Sequence, residues 1–285
     1  MIIGERREDV IENIRQATER KEMNCKVEIG DPILTQSQSQ RIIKRYLTSR
    51  RKISYKFKAM IARWIANIAT DRLNYNTKIE GLQKIASLTG GALITCNHFN
   101  QLDNTVIRYL TSNLGKKRIN IISQETNFAM NGIIGYLMKY ADTIPLSNNL
   151  KAGYKGLMDV MAKLLNKGEY ILIYPEQEMW FNYRKPRPCM KGAYLFAAKL
   201  RVPIISCFIE IRDMDEMDTD EFRKVKYVIH ILDVIRPEQC KSDRDNMKEM
   251  CERDYELKKS AYERIYGKEL SYDFEPSDIA GWLGE

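Results

Sequence analysis

The sequence predicts an α/β domain, with helices layered on a mixed, mostly parallel sheet, and three observations carry that prediction. Six runs have strand length and strand composition: Ala92–Cys96, Ile119–Ser123, Thr143–Leu146, Tyr170–Tyr174, Pro203–Ile209 and Lys226–Ile235. Helical spacing fills most of the intervals between them, and strand–helix alternation is the signature of parallel strands joined by crossover helices. The clearest such helix runs from Tyr154 to Leu165, with Leu157, Met158, Met161 and Leu164 on one face and Gly168 as its stop. Finally, 285 residues with 44% apolar content are enough to bury a substantial core.

Residues 1–40 hold one amphipathic helix, with Val10, Ile11, Ile14 and Ala17 on a face. Gly30-Asp31-Pro32 and the polar stretch Thr35–Gln40 follow, so this region reads as an appended arm and linker. Residues 41–80 form a basic helical region. Ile53, Phe57, Met60, Ile61, Trp64, Ile65 and Ile68 keep helical spacing, with Lys52, Lys56 and Arg63 expected on the opposite side. Two readings are open for Ile53 to Ile68: a helix lying in a membrane interface, or a stripe packed on the protein's own core. Residues 81–240 hold the α/β domain. Its last two strands flank an acidic loop, Asp213 to Glu221, and read as antiparallel neighbours. Residues 241–285 read as a charged helix through about Tyr266 and an uninformative tail.

Composition narrows the function classes. The start, MIIGERREDVIE, lacks the charged-then-apolar pattern of an export leader. No run approaches the ~18 apolar residues of a membrane span. The six cysteines form no C-x-x-C pair and no zinc-type cluster, so free thiols and no metal are expected. The net charge of +8 is concentrated: residues 41–70 contain nine Lys or Arg and no acid. Such a block seeks a polyanion, of which anionic lipid or an anionic carrier protein is expected; no nucleic-acid motif accompanies it.

The chemistry-bearing stretch is ALITCNHFNQLDNTVIRYL, residues 92–110. A buried strand runs into Asn97, His98 and Asp103 and then into a helix, and this strand end is where α/β sheets hold their chemistry. His98 is one of two histidines in the chain. An imidazole takes a proton near neutral pH, and a carboxylate orients it and stabilises its charged form. His98 and Asp103 are five apart and do not align on one helix. They meet if His98 sits in the turn and Asp103 in the first helical turn. Asn100-x-x-Asp103 also resembles a helix capping box, so a purely structural reading stays open. A second signal is Glu176, after Pro175 at the carboxyl end of the strand Tyr170–Tyr174. Arg184, Lys185 and Arg187 then fall in a proline-stiffened loop suited to an anion, or simply exposed to solvent.

In order, these features resemble the lysophospholipid acyltransferase superfamily, typified by 1-acylglycerol-3-phosphate acyltransferases, over about residues 92–208. Asn97-His98-x-x-x-x-Asp103 fits the first family block and Val202-Pro203-Ile204-Ile205 the last, though Ser206 stands where proline is usual. Two blocks depart. Asn148 stands where the second block usually ends in arginine, and Pro175-Glu176-Gln177-Glu178-Met179 replaces P-E-G-T-R. Both missing arginines are those expected to grip an acceptor phosphate.

The resemblance implies the glycerolipid-acyltransferase fold and a general-base mechanism. Asp103 orients His98, which deprotonates an acceptor hydroxyl, and the oxygen attacks an acyl thioester carried on coenzyme A or an acyl carrier protein. Backbone N–H groups near the strand ends are expected to hold the oxyanion. Asn97, Asn148, Glu176, Gln177, Arg184, Lys185 and Arg187 are the expected substrate-binding residues. No cofactor beyond the thioester co-substrate is implied. The expected acceptor is a lysophospholipid or related glycerolipid, with a glycolipid, an envelope sugar or an amine as alternatives. The expected location is peripheral, on the cytoplasmic face of the cell membrane. A silent scaffold with the same fold is the rival from another class, and the intact His98 and Asp103 count against it. His230, Cys96 and Cys207 lie in strand runs and read as structural.

Overall fold

The computed structural model describes residues 6–30, 32–116, 118–146 and 150–284, with backbone alone for 150–153. The helices are α1 (Arg7–Glu19), α2 (Gln36–Ser49), α3 (Ile53–Asn74), α4 (Asp103–Asn113), α5 (Gly132–Tyr140), α6 (Leu150–Leu165), α7 (Gly192–Leu200) and α8 (Asp243–Tyr266). The strands are β1 (Lys78–Glu80), β2 (Ala92–Thr95), β3 (Ile119–Gln124), β4 (Thr143–Leu146), β5 (Tyr170–Ile173), β6 (Ile204–Met217) and β7 (Arg223–Ile235). They form one sheet in the order β1-β7-β6-β2-β5-β3-β4. Every pairing is parallel except β6 with β7. This is the mixed, mostly parallel sheet with flanking helices that the alternation predicts.

Both faces of the sheet are covered, which is why its strands read as continuous apolar runs. Leu93, Ile171, Ile173 and Ile204 face one core with α6 and α7. Ala92, Ile94, Cys96, Leu172 and Ile205 face the other, against Val106, Ile107 and Leu110 of α4. The central strands end within a residue of their expected limits, because burial alone sets those limits.

Three regions differ from expectation. Within the segment expected as an appended arm, the described residues 7–27 pack on the domain. Val10, Ile11, Ile14 and Ala17 are buried against Trp180, Phe181 and Phe222, so the loop after β5 supplies the surface that this helix needs. The polar run Thr35–Gln40 is the start of α2 rather than linker. The Thr35 side chain accepts from Gln38 N, and Gln38 Oε1 accepts from Thr35 N at 2.8 Å. The acidic stretch Asp213–Glu221 is mostly strand. β6 and β7 extend as a ribbon to Met217 and Arg223, helped by the cross-strand pair Lys224–Glu216 at 2.7 Å. The strand β1 was too short to be legible.

The helix α3 resolves its two readings unevenly. Its packed face is a row of small residues, Ala59, Ala62, Ala66 and Thr70, whose size lets α3 approach α4 and α5 closely. The large apolar stripe packs only in part. Ile53 is 85% exposed, Trp64 65%, Phe57 57% and Met60 54%, whereas Ile61, Ile65 and Ile68 are half-buried. Lys52 and Lys56 are exposed as well, and Arg63 pairs with Asp142 at 3.0 Å. The face opposite the stripe is therefore alanine rather than basic.

Candidate active site

β2 and β5 are parallel neighbours in register, Thr95 beside Ile173, so the chain leaves both strands side by side. That places the turn 96–102 against the turn 174–178. Glu176 is buried and joins them: its carboxylate accepts from His98 N at 3.1 Å and Arg187 N at 3.0 Å. The Arg187 guanidinium adds an ion pair to it at 3.0 Å.

His98 lies in the turn and Asp103 begins α4, so the chain folds back and the two side chains meet. His98 Nδ1 is 2.7 Å from Asp103 Oδ2. The same oxygen accepts from Phe99 N at 3.0 Å and Asn100 N at 3.3 Å. These bonds include half of the anticipated capping box, so the structural role of Asp103 and its contact with His98 are compatible. A carboxylate accepts only, which makes Nδ1 the protonated nitrogen and leaves the Nε2 lone pair available. Asp103 is nearly fully buried, while the His98 side chain is 20% exposed.

Tyr174 completes the arrangement. Its ring stacks on the imidazole, with centroids 3.9 Å apart and planes 12° apart. Its hydroxyl donates to Asp103 Oδ1 at 2.5 Å. Burial, followed by the Asp103 charge, pushes the Tyr174 hydroxyl well above its ordinary range, so it remains a donor. Sequence reading missed this residue. The signal was present in the period of two: Tyr170, Leu172 and Tyr174 point to the face that α4 covers.

The dyad opens on a cavity of about 250 Å³. Its apolar wall includes Ile122, Met138, Ile173 and Phe196, and its polar wall includes Gln124, Gln177 and Glu178. A proton acceptor thus borders space lined by aliphatic side chains.

The remaining expected binding residues are distributed differently. Asn97 does not face the cavity. It is buried and clamps β2 to β6, donating to Ile209 O at 3.0 Å and accepting from Ile209 N at 2.8 Å. Glu176 is likewise occupied in holding the two turns together. Gln177 lines the cavity with φ +67°, the left-handed region that glycine ordinarily fills. Lys185 and Arg187 are buried and turned away from it. Lys185 is tied to Asp278 Oδ2 and Asp273 O, both at 2.7 Å, and Arg187 to Glu176 and Met23 O. Arg184 pairs with Asp213 and donates to Ser277 O at 2.7 Å. The loop is basic because it anchors the amino- and carboxyl-terminal segments, and sequence alone could not show those distant carboxylates. Asn148 lies outside the described residues. The amides of His98, Phe99 and Asn100, at the expected oxyanion edge, are all taken up by carboxylates.

A second buried cluster lies behind β2. Asp254 of α8 accepts from Lys258 Nζ at 2.6 Å, Thr95 Oγ1 at 2.7 Å, Tyr194 OH at 2.5 Å and Ser206 Oγ at 2.5 Å. Burial alone would raise the Asp254 carboxyl, but the Lys258 ammonium and these donors hold it below its ordinary value. Lys258 is lowered by burial and raised by Asp254, with a net rise. This cluster pins the last residue of β2, three positions before His98. His230 is structural, bonded to Glu210 at 2.8 Å. Burial raises the Cys207 thiol to about 12 and the Cys96 thiol well above its usual range, which leaves both inert.

Residues 76–210 match the family model described as Acyltransferase. The fold is similar to the crystal structure of the 1-acyl-sn-glycerophosphate (LPA) acyltransferase, PlsC, from Thermotoga maritima. The TM-score is 0.50 at 15% identity, covering 81% of this chain and 89% of that one. No curated protein matches the sequence.

Proposed function

We propose that this chain, whose residues 76–210 match the Acyltransferase family model, is an acyl-transferring enzyme that moves a fatty acyl group from a thioester donor, acyl-coenzyme A or acyl carrier protein, to a hydroxyl of a lysolipid-like acceptor. The observation that carries the proposal is the His98–Asp103 pair at the mouth of an apolar cavity. His98 Nε2 takes the hydroxyl proton, and the freed oxygen attacks the thioester carbonyl. A C–O bond forms, the C–S bond breaks, and the proton passes to the departing thiolate. Asp103 holds the imidazole in the tautomer that this step needs and stabilises the imidazolium. Tyr174 and the turn amides hold Asp103 in turn. The oxyanion is met by donors other than the amides of residues 98–100. The chemistry passes through no covalent acyl-enzyme.

The reaction takes place at a bilayer surface, with the exposed stripe of α3 as the docking element. Its support is the exposure of Ile53, Phe57, Met60 and Trp64 beside a block of nine cations without an acid. Each cation near an anionic leaflet contributes about 1 kcal/mol, which favours the cytoplasmic face. No helix among the described residues is long and apolar enough to cross a membrane.

The test is thiol release from acyl-coenzyme A with a lysolipid acceptor, with products identified by mass spectrometry. His98→Ala should lower turnover by about 10²–10⁴-fold, the usual contribution of a general base, while leaving the melting temperature in place. Near-normal turnover in that variant would refute the assignment.

A further inference from the structure

The polar wall of the cavity favours one class of acceptor head. Gln124 ends β3 and Glu178 follows β5, and these strands are parallel neighbours, so the two side chains converge over the cavity. Gln124 Nε2 donates to Glu178 Oε1 at 2.8 Å. Asn127 and Ser123 extend the same wall, with Asn127 Nδ2 donating to Ser123 Oγ at 2.8 Å. Another carboxylate, Glu28, reaches the rim and is neutralised by Arg7 at 2.8 Å. Among the described residues lining the cavity, none is a lysine or arginine. The basic side chains nearest in sequence are already committed: Arg184 to Asp213, Lys185 to Asp278 and Arg187 to Glu176.

We propose that the acceptor presents an uncharged, hydroxyl-bearing head in place of a phosphate, and that Glu178 and Gln124 read it. This rests on the acyl-transfer reading of the same site. A carboxylate accepts hydrogen bonds at about four lone-pair positions, of which Gln124 occupies one. The others suit the hydroxyls of a polyol head. A phosphate brought to the same wall would set like charges together with no lysine or arginine among the described lining residues to balance them, and the nearby Arg187 is held by Glu176 and the Glu178 carbonyl. The transfer itself is unchanged: the acceptor oxygen gains the acyl carbon, the thiol leaves, and the proton travels by way of His98.

The deciding experiment gives purified full-length protein acyl-coenzyme A with either a monoacylglycerol or a lysophosphatidate of the same chain length. Transfer is read as kcat/KM from thiol release and product mass. The wild type should favour the monoacylglycerol by about tenfold or more, the scale on which an unbalanced like charge discriminates. Glu178→Gln should narrow that ratio, and Glu178→Arg should move it towards lysophosphatidate. Equal use of the two acceptors, or a preference for lysophosphatidate, by the wild type would overturn the proposal without needing either variant. A wild-type preference that Glu178→Gln leaves unmoved would overturn the role of Glu178. If neither acceptor is acylated above the His98→Ala background, the acyl-transfer reading itself falls, and this proposal with it.

Discussion

At the scale of residues, the site is organised by what each carboxylate accepts. Asp103 receives donors on both oxygens, and only one of them belongs to His98. The Tyr174 hydroxyl holds the Asp103 oxygen that His98 does not touch. Tyr174→Phe keeps the stacked ring and loses the donor. A hydrogen bond to a charged group contributes about 1.5–3 kcal/mol, so kcat should fall by about tenfold or more if this donor positions the dyad. KM should change little, and an unchanged kcat would reduce Tyr174 to packing. His98 and Asp103 were legible because their spacing across a strand-to-helix turn constrains them locally. Tyr174 was obscured by being an ordinary member of an apolar run. Lys185 and Arg187 were misleading for the opposite reason, since their charge is visible in sequence and their buried partners are not.

At the scale of elements, α3 divides one helix between two environments. Its alanine face packs, which leaves Ile53, Phe57, Met60 and Trp64 exposed and, under the proposed function, free to meet a bilayer. The protein should co-sediment with vesicles containing anionic lipid, less so with neutral vesicles, and release as salt rises. Phe57→Glu and Trp64→Glu should each weaken this binding by about tenfold or more, because a buried large apolar side chain contributes about 1.5–3 kcal/mol. Melting temperatures should be unchanged, since both side chains are exposed. Loss of fold with no change in vesicle binding would instead make the stripe a core element. Helical spacing alone could not decide this. The periodicity marks a stripe, but only the neighbours α4 and α5 show which face is covered.

At the scale of the whole molecule, distant segments converge on the strand that leads to His98. α8 reaches β2 through Asp254 and Lys258, and α1 closes over the aromatic loop after β5. Asp254→Asn leaves the buried Lys258 charge uncompensated and should cost about 3–5 kcal/mol of stability, read by chemical denaturation. The pair also sets a pH window. The Asp254 carboxyl is lower when folded, so its contribution is full above its ordinary value of 3.8 and is lost as pH falls below that. The Lys258 ammonium is higher when folded, so its contribution is full below 10.5 and is lost as pH rises beyond that. Between these limits the pair should add no slope to stability against pH. In turn, Ile14→Ala should destabilise the protein by about 2–5 kcal/mol, as a truncation within a packed core does. An appended arm would lose nothing.

Local periodicity specified six of the seven strands, most of the helices, the antiparallel final pair and the turn in which His98 can meet Asp103. Each of these follows from local periodicity or from a turn of a few residues, where the information and the contact lie in the same stretch of chain. Long-range packing settled that α1 is buried, that the basic loop is an anchor, that Ile53, Phe57, Met60 and Trp64 of α3 stay exposed, and that Tyr174 and Asp254 brace the turn at His98. Those outcomes depend on which surfaces and charges arrive from far along the chain, and burial of a polar group is settled only by the partner that compensates it.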